Sequence, residues 1–161
     1  MVHQTPQLLD FRAASDDRGS LFKIFGRAGG GSGDDLAEST GDSFVLQSGH
    51  RVFRGLHAQE PPFDQSKAVF VLKGSVRVYC VKVTGGVPDA PSLTVDDLTV
   101  GDLGLVAPQG WALGVLTVSE SSSVWVSASK PYRPDSEFTI GIKSLLPQSD
   151  WREWRFSAKD G

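Results

Sequence analysis

Short apolar segments recur along the chain, and the residues between them favour turns. The segments are rich in Val, Phe and Leu, whereas Gly, Pro, Asp and Ser fill the intervals. Strand-length segments with turn residues between them predict an all-β sandwich or barrel. The predicted strands cover residues 8–12, 20–25, 44–47, 68–72, 75–83, 93–100, 103–106, 112–118 and 124–128.

The clearest alternation lies in the segment that begins at Val76. Val76, Val78 and Cys80 are predicted to share one face of a strand, with the intervening residues on the other face. Helix signals are weak and are confined to residues 34–39 and 150–154. The 161 residues contain no internal repeat and no linker, so we expect a single domain spanning residues 1–161.

The charge composition argues against nucleic acid as a partner. Sixteen Lys and Arg stand against 19 Asp and Glu, giving a net charge of −3 and no overall basic field. Cys80 is the only cysteine, which excludes an intrachain disulfide and favours the reducing cytoplasm. The N-terminal residues lack the pattern of a signal peptide, and no apolar run approaches the ~20 residues that span a bilayer. We therefore expect a cytoplasmic protein that does not insert into a membrane.

The strongest chemical signal is a histidine between two cations. The motif Arg54-Gly55-Leu56-His57 is followed ten residues after the histidine by Lys67. The ordinary pKa of histidine, about 6.5, suits a general base near neutral pH. Arg and Lys both bind phosphate oxygens. The pattern predicts a site that holds an anionic substrate and removes a proton from carbon; the alternative is a surface histidine beside two solvated cations.

The histidine pattern does not support a metal site. Small β-barrels of the cupin type often bind metal through a His-x-His pair and a later histidine after a Pro-x-Gly turn. In this chain Gln59 stands at the second of these positions and Leu113 at the last. Too few nitrogen, sulfur or carboxylate ligands remain, so we expect no metal.

Nucleophilic hydrolysis is also poorly supported. No Gly-x-Ser-x-Gly motif exists, and the serines of residues 120–123 are typical of a polar turn. Cys80 falls on the apolar face of its predicted strand, which indicates a buried structural thiol.

Six short motifs follow one another along nearly the whole chain. They are Asp-Arg-Gly at 17–19, Arg-Gly-Leu-His at 54–57, Gln-Ser-Lys at 65–67, Pro-Gln-Gly-Trp-Ala-Leu-Gly at 108–114, Tyr-Arg-Pro-Asp-Ser-Glu at 132–137 and Phe-Ser-Ala-Lys-Asp at 156–160. In this order they resemble the dTDP-4-dehydrorhamnose 3,5-epimerase family. The resemblance implies a cupin-like β-barrel or jelly roll, here with a short C-terminal helical tail, and a homodimer without metal or organic cofactor. It also implies epimerisation of a 4-keto-6-deoxy sugar carried on thymidine diphosphate.

The resemblance assigns roles to individual residues. His57 matches the base that removes the proton next to the ketone, and Asp160 matches the carboxylate paired with it. Tyr132 matches an aromatic residue that lines the pocket. The positions implied to bind the nucleotide, the diphosphate or the enolate are Arg18, Gln47, Arg54, Gln65 and Lys67.

Three positions depart from the family pattern. Val126 stands where the family has its proton-donating tyrosine, Leu113 replaces the histidine of the Pro-x-Gly turn, and Lys23 replaces a glutamate. The base side of the site is therefore kept, and the acid side is altered. Four interpretations of this pattern are therefore kept. Tyr132 or water supplies the second proton, or the enzyme epimerises one carbon only. Alternatively, the chain catalyses a 3,4-ketoisomerisation, or it binds a nucleotide sugar without turnover.

Two local features bear on how the site is assembled. Arg54 and His57 would face opposite ways on a regular strand, and Gly55 between them is suited to a bulge that turns both inward. The aromatic segment 151–156 is predicted to dock the C-terminal tail on the barrel and so to hold Asp160 in place.

Overall fold

The computed structural model describes residues 5–9, 13–16, 19–22, 41–102 and 104–156. These residues form an all-β fold with a short C-terminal helix, which confirms the predicted fold class. The strands are β1 (Gln7–Leu9), β2 (Ala13–Asp16), β3 (Gly19–Phe22), β4 (Ser43–Gly49), β5 (Val52–Gln59), β6 (Lys67–Lys73), β7 (Ser75–Thr84), β8 (Val87–Pro88), β9 (Thr94–Thr99), β10 (Gly104–Ala107), β11 (Trp111–Thr117), β12 (Ser121–Ala128), β13 (Glu137–Thr139) and β14 (Arg155–Phe156). The helix α1 covers Gln148–Trp151, and 3₁₀ turns cover Ala90–Ser92 and Ile142–Ser144.

Two antiparallel sheets and one separate hairpin make up the fold. The first sheet has the order β1-β10-β6-β12-β4. The second has the order β13-β5-β11-β7-β8, with β9 paired to β7 and β14 paired in parallel to β5. The strands β2 and β3 form the hairpin. The two sheets curl around a common interior as a cupin-like half-barrel.

The main core fills the space between the two sheets. Both sheets contribute buried aliphatic side chains to it, such as Val69 and Val124 from the first and Val115 from the second. The strand β7 follows the predicted alternation, because Val76, Val78 and Cys80 all point into this core. Burial of these β-branched side chains against the facing sheet holds the sandwich together.

A second core lies on the outer face of the seven-stranded sheet and is covered by the C-terminal tail. Phe53 stacks on Trp154 at a ring-centroid distance of 5.3 Å and meets Phe156 edge-on at 5.8 Å. The odd-numbered residues Tyr79 and Val81 of β7 point to this side. The predicted docking of the aromatic tail is therefore confirmed. The tail packs on the outer face of β5 through Phe53.

Several predicted elements change. The predicted strands omit β5, although it carries Arg54 and His57, and the supposed polar turn at residues 120–123 is wrong because Ser121 to Ser123 begin β12. The C-terminal helix occurs slightly earlier than predicted, at Gln148–Trp151. The helix predicted for residues 34–39 lies outside the described residues. Among the helices of the described ranges, none has the length and apolar character needed to cross a bilayer.

Candidate active site

An open cavity lies between the two sheets at the end where β4, β5 and β13 approach one another. Its volume is about 620 Å³, which falls in the usual range for ligand pockets. Arg54, His57 and Lys67, the three residues of the predicted charged cluster, all line it. The inner wall is apolar and is formed by Leu46, Leu113, Val115, Val126 and Ala128.

A bulge in β5 turns Arg54 and His57 to the same side. His57 pairs with Leu113 and Arg54 pairs with Val115, so three steps along β5 match two steps along β11. Gly55 lies inside this irregularity with a φ of 118°, a conformation that favours glycine. The bulge predicted at Gly55 is confirmed.

Arg54 is held at the rim of the cavity by β4. Its Nε donates a hydrogen bond to Ser48 Oγ at 2.9 Å, and one terminal nitrogen donates to the backbone carbonyl of Gln47 at 3.5 Å. The side chain of Gln47 does not line the cavity, because Phe44 and Leu46 take the inward positions of β4. The backbone carbonyl of Gln47, and not its amide side chain, reaches Arg54, and a role for Gln47 in substrate binding stays a prediction.

Lys67 begins β6 and points into the cavity beside His57. Its ammonium donates a hydrogen bond to the backbone carbonyl of His57 at 3.2 Å. Burial lowers the pKa of Lys67 below its usual value, and the negative charge of Glu137 partly opposes this effect. The half-buried side chain of Lys67 is thus held next to the histidine.

His57 faces a carboxylate that the sequence analysis gave no role. Glu137 Oε1 lies 3.3 Å from His57 Nδ1, and the hydroxyl oxygen of Thr139 lies 3.2 Å from the same nitrogen. The other oxygen of Glu137 accepts a short hydrogen bond from the Tyr132 hydroxyl. This hydrogen bond is the main cause of a raised pKa for Tyr132. Both His57 and Glu137 remain about one-quarter exposed, at 27% and 24%, so solvent and ligands can reach the pair.

The loop that carries Tyr132 is tied down by two glutamines and an aspartate. Gln65 is buried, lines the cavity and donates to the carbonyl of Lys130 at 2.6 Å. Gln59 donates to the carbonyl of Arg133 and accepts from its backbone N–H. Asp42 accepts from the backbone N–H of Tyr132 at 2.8 Å. Gln65 therefore lines the cavity and uses part of its amide to fix the loop, and its role in substrate binding stays a prediction.

Two of the predicted site residues, Arg18 and Asp160, lie outside the described residues. The three departures from the family pattern divide in the same way: Leu113 and Val126 line the cavity, and Lys23 lies outside. Cys80 is buried in the main core, and burial raises the pKa of its thiol to about 12. The thiol is therefore structural, as predicted, because a nucleophile needs accessible thiolate.

A family model described as dTDP-4-dehydrorhamnose 3,5-epimerase matches residues 6–161. The chain belongs to this family. Its members are carbohydrate epimerases of the isomerase class, and membership supports epimerisation of a dTDP-linked deoxysugar by this chain. No curated protein sequence matches the chain significantly.

Solved epimerase structures share the fold. A dTDP-4-dehydrorhamnose 3,5-epimerase from Sulfolobus tokodaii is 25% identical with a TM-score of 0.74, and the alignment covers 92% of this chain and 82% of that one. An epimerase from Legionella pneumophila, in complex with dTDP-4-keto-L-rhamnose, is 22% identical with a TM-score of 0.73 over 96% and 89%. A 3′-monoepimerase from Streptomyces bikiniensis, in complex with dTDP-quinovose, is 19% identical with a TM-score of 0.77 over 96% and 79%.

Sequence reasoning missed Glu137 as a partner of His57. The only available signal was its place at the end of the motif that begins with Tyr132. The contact itself depends on the pairing of β13 with β5, which sets Thr139 opposite His57 and Glu137 opposite Gln59. Because side chains two apart on a strand share a face, Glu137 and Thr139 both reach the imidazole.

Proposed function

We propose that this chain epimerises a dTDP-linked 4-keto-6-deoxyhexose and that His57 removes the proton next to the ketone. One observation carries the proposal: His57 lines the same open cavity as Arg54 and Lys67, so that a base and two cations face one space. The ketone acidifies the adjacent C–H bond. Its proton moves to the imidazole, the electron pair of the bond enters the enolate, and a proton delivered to the opposite face inverts the carbon.

The two cations have separate tasks in this proposal. Arg54 lies at the rim, where its guanidinium can bind diphosphate oxygens, and we assign Arg18 and Gln65 to the same substrate. Lys67 lies beside His57 and stabilises the negative charge that develops on the enolate oxygen. A fixed positive charge in a poorly hydrated position stabilises such charge more strongly than one in water.

The second proton comes from Tyr132 in this proposal. Tyr132 lines the cavity, and its hydroxyl is protonated and engaged with Glu137. Val126, at the position of the family's tyrosine, lines the apolar wall and has no proton to give. This altered acid side favours inversion of one carbon only over inversion of two. We also assign Asp160 to the base side and expect a cytoplasmic homodimer, the latter checked by sedimentation.

The test is solvent-deuterium exchange into a dTDP-4-keto-6-deoxyhexose, followed by mass spectrometry and by NMR to identify the labelled carbon. The wild-type protein should incorporate deuterium next to the ketone, and His57→Ala should not. Arg54→Ala should weaken binding of thymidine diphosphate measured by calorimetry. If wild type exchanges no faster than His57→Ala while thymidine diphosphate still binds, the chain is a nucleotide-sugar-binding module and not an epimerase of this substrate. A product with the ketone moved to another carbon would instead identify a ketoisomerase.

A further inference from the structure

The carboxylate of Glu137 joins the two side chains proposed to move protons. One oxygen accepts a hydrogen bond from the hydroxyl of Tyr132, and the other lies 3.3 Å from Nδ1 of His57. The antiparallel register of β13 and β5 sets this arrangement, since it places Thr139 directly opposite His57 and Glu137 two residues away on the same face. The contacts therefore arise from paired backbone and not from a loose surface loop.

We propose that Glu137 is a positioning residue that fixes the tautomer of His57. This inference rests on the proposed function, because it gives His57 its orientation for proton removal. A carboxylate at Nδ1 favours the tautomer in which Nδ1 carries the hydrogen, and in that tautomer Nε2 carries the lone pair that acts as the base. Thr139 lies at the same nitrogen and restricts rotation of the ring.

The charge on Glu137 has a second use after the proton has moved. When Nε2 takes the proton from the sugar carbon, the imidazole becomes an imidazolium, and Glu137 Oε1 lies 3.3 Å from its Nδ1. A negative charge at this place stabilises that cation. In this step the C–H bond breaks, its electron pair stays in the enolate, and its proton resides on Nε2.

Two polar side chains, Lys67 and Tyr132, lie around the carboxylate of Glu137. Lys67 lies close enough for the charge of Glu137 to oppose the lowering of its pKa by burial, and its ammonium donates to the backbone carbonyl of His57 at 3.2 Å. Tyr132 donates to Glu137 and so occupies one oxygen, which directs the other toward Nδ1. A carboxylate held from two sides is a more precise guide for the ring than a freely rotating one.

The experiment uses Glu137→Gln, which keeps the shape of the side chain and removes its charge. The full chain is labelled with ¹⁵N, and the tautomer of His57 is determined by NMR without substrate at about pH 8, above the ordinary pKa of histidine. The signals of His57 are assigned by their loss in His57→Ala. Wild type should show Nδ1–H with an unprotonated Nε2, whereas Glu137→Gln should shift the population toward Nε2–H. An unchanged tautomer in a folded Glu137→Gln protein overturns the proposal.

Kinetics supply the second readout. Glu137→Gln should lower kcat for deuterium exchange by about 100-fold, with KM changed less than threefold, because the substrate contacts remain. Glu137→Asp, which restores the charge on a shorter side chain, should recover part of the lost kcat. Glu60→Gln is the matched control, since Glu60 follows β5 directly, is exposed, and loses the same charge. Equal effects of Glu60→Gln and Glu137→Gln would also overturn the proposal.

The two readouts separate this inference from the proposed function. If wild type catalyses no exchange, the function fails, and the tautomer measurement still decides whether Glu137 orients His57. If wild type catalyses exchange, and Glu137→Gln changes neither the tautomer of His57 nor kcat, the function stands and the role of Glu137 is rejected.

Discussion

Arg54 and His57 lie three positions apart on β5, yet both side chains line the same cavity. On a regular strand this spacing directs two side chains to opposite faces. The extra residue at Gly55 restores a common direction, and it does so where β5 and β11 approach closely through Gly55 and Gly114. The common orientation of His57 and Arg54 therefore depends on a glycine.

Gly55→Ala should destabilise the protein and abolish activity. A Cβ at this position would lie 2.6 Å from both Gly114 Cα and the Leu113 carbonyl oxygen, and a φ of 118° is unfavourable for alanine. We expect the free energy of unfolding to fall by at least about 2 kcal/mol, measured by urea denaturation. Gly86→Ala is the control, since Gly86 has a φ of 77° with open space around its Cβ, and it should cost only about 1 kcal/mol. Equal losses would contradict the proposed close approach at Gly55.

Lys67→Met should stabilise the fold while removing activity. Burial lowers the pKa of Lys67, so between that lowered pKa and the unfolded value of 10.5 the unfolded chain binds more protons than the folded one. Wild-type stability therefore rises with pH across this window, and methionine removes the cost of burying the charge. We expect a gain of about 1 kcal/mol near neutral pH, which shrinks as pH increases toward 10.5.

Urea denaturation over a series of pH values measures this difference. Lys73→Met, at the exposed end of the same strand, is the matched control and should show no comparable gain. If Lys67→Met proves less stable than wild type at neutral pH, the interactions of the ammonium outweigh its burial and this account of Lys67 is wrong.

Val126→Tyr should return a proton donor to the cavity wall. Val126 lines the cavity, and by the resemblance in sequence it matches the position of the family's tyrosine. If a missing acid limits turnover, the hydroxyl should raise the rate of product formation by at least about tenfold. Val126→Phe adds the same ring without the hydroxyl and controls for the altered shape. Product analysis by NMR should show the gain in Val126→Tyr alone; similar rates for both variants would exclude the acid as the limiting feature.

Tyr132→Phe should separate the two proton transfers. If Tyr132 delivers the second proton, its loss should reduce formation of the inverted product more than it reduces deuterium wash-in, since His57 still removes the first proton. Both quantities are measurable on one sample, by NMR for configuration and by mass spectrometry for label. Parallel losses of both would show that the hydroxyl acts before or during the first step, or only through Glu137.

The sequence predicted the features that depend on local pattern. Alternation located β7, and Gly55 between Arg54 and His57 predicted the bulge. The aromatic tail docks as expected, because several large apolar rings close together in sequence bury their surface most effectively against a sheet. These predictions required only periodicity, turn chemistry and burial.

The features that were missed depend on distant pairing or on the site itself. The strand β5 mixes Arg, Gly and His with apolar residues because part of one face lines a cavity, so its composition does not match a strand pattern. The contact between His57 and Thr139 joins positions 82 apart through a strand of three residues, and Glu137 belongs to the same strand. The outward direction of the Gln47 side chain could not be predicted, because the register of β4 is set by its partner β12 and not by its own residues.

The strand that carries His57 has two of its neighbours, β13 and β14, late in the chain. During synthesis on the ribosome, His57 emerges while the residues that will flank it have not yet been translated. The pairings of β5 cannot be complete until residue 156 is available. Chains that terminate before β13 would consequently lack the strand that sets Thr139 and Glu137 beside His57.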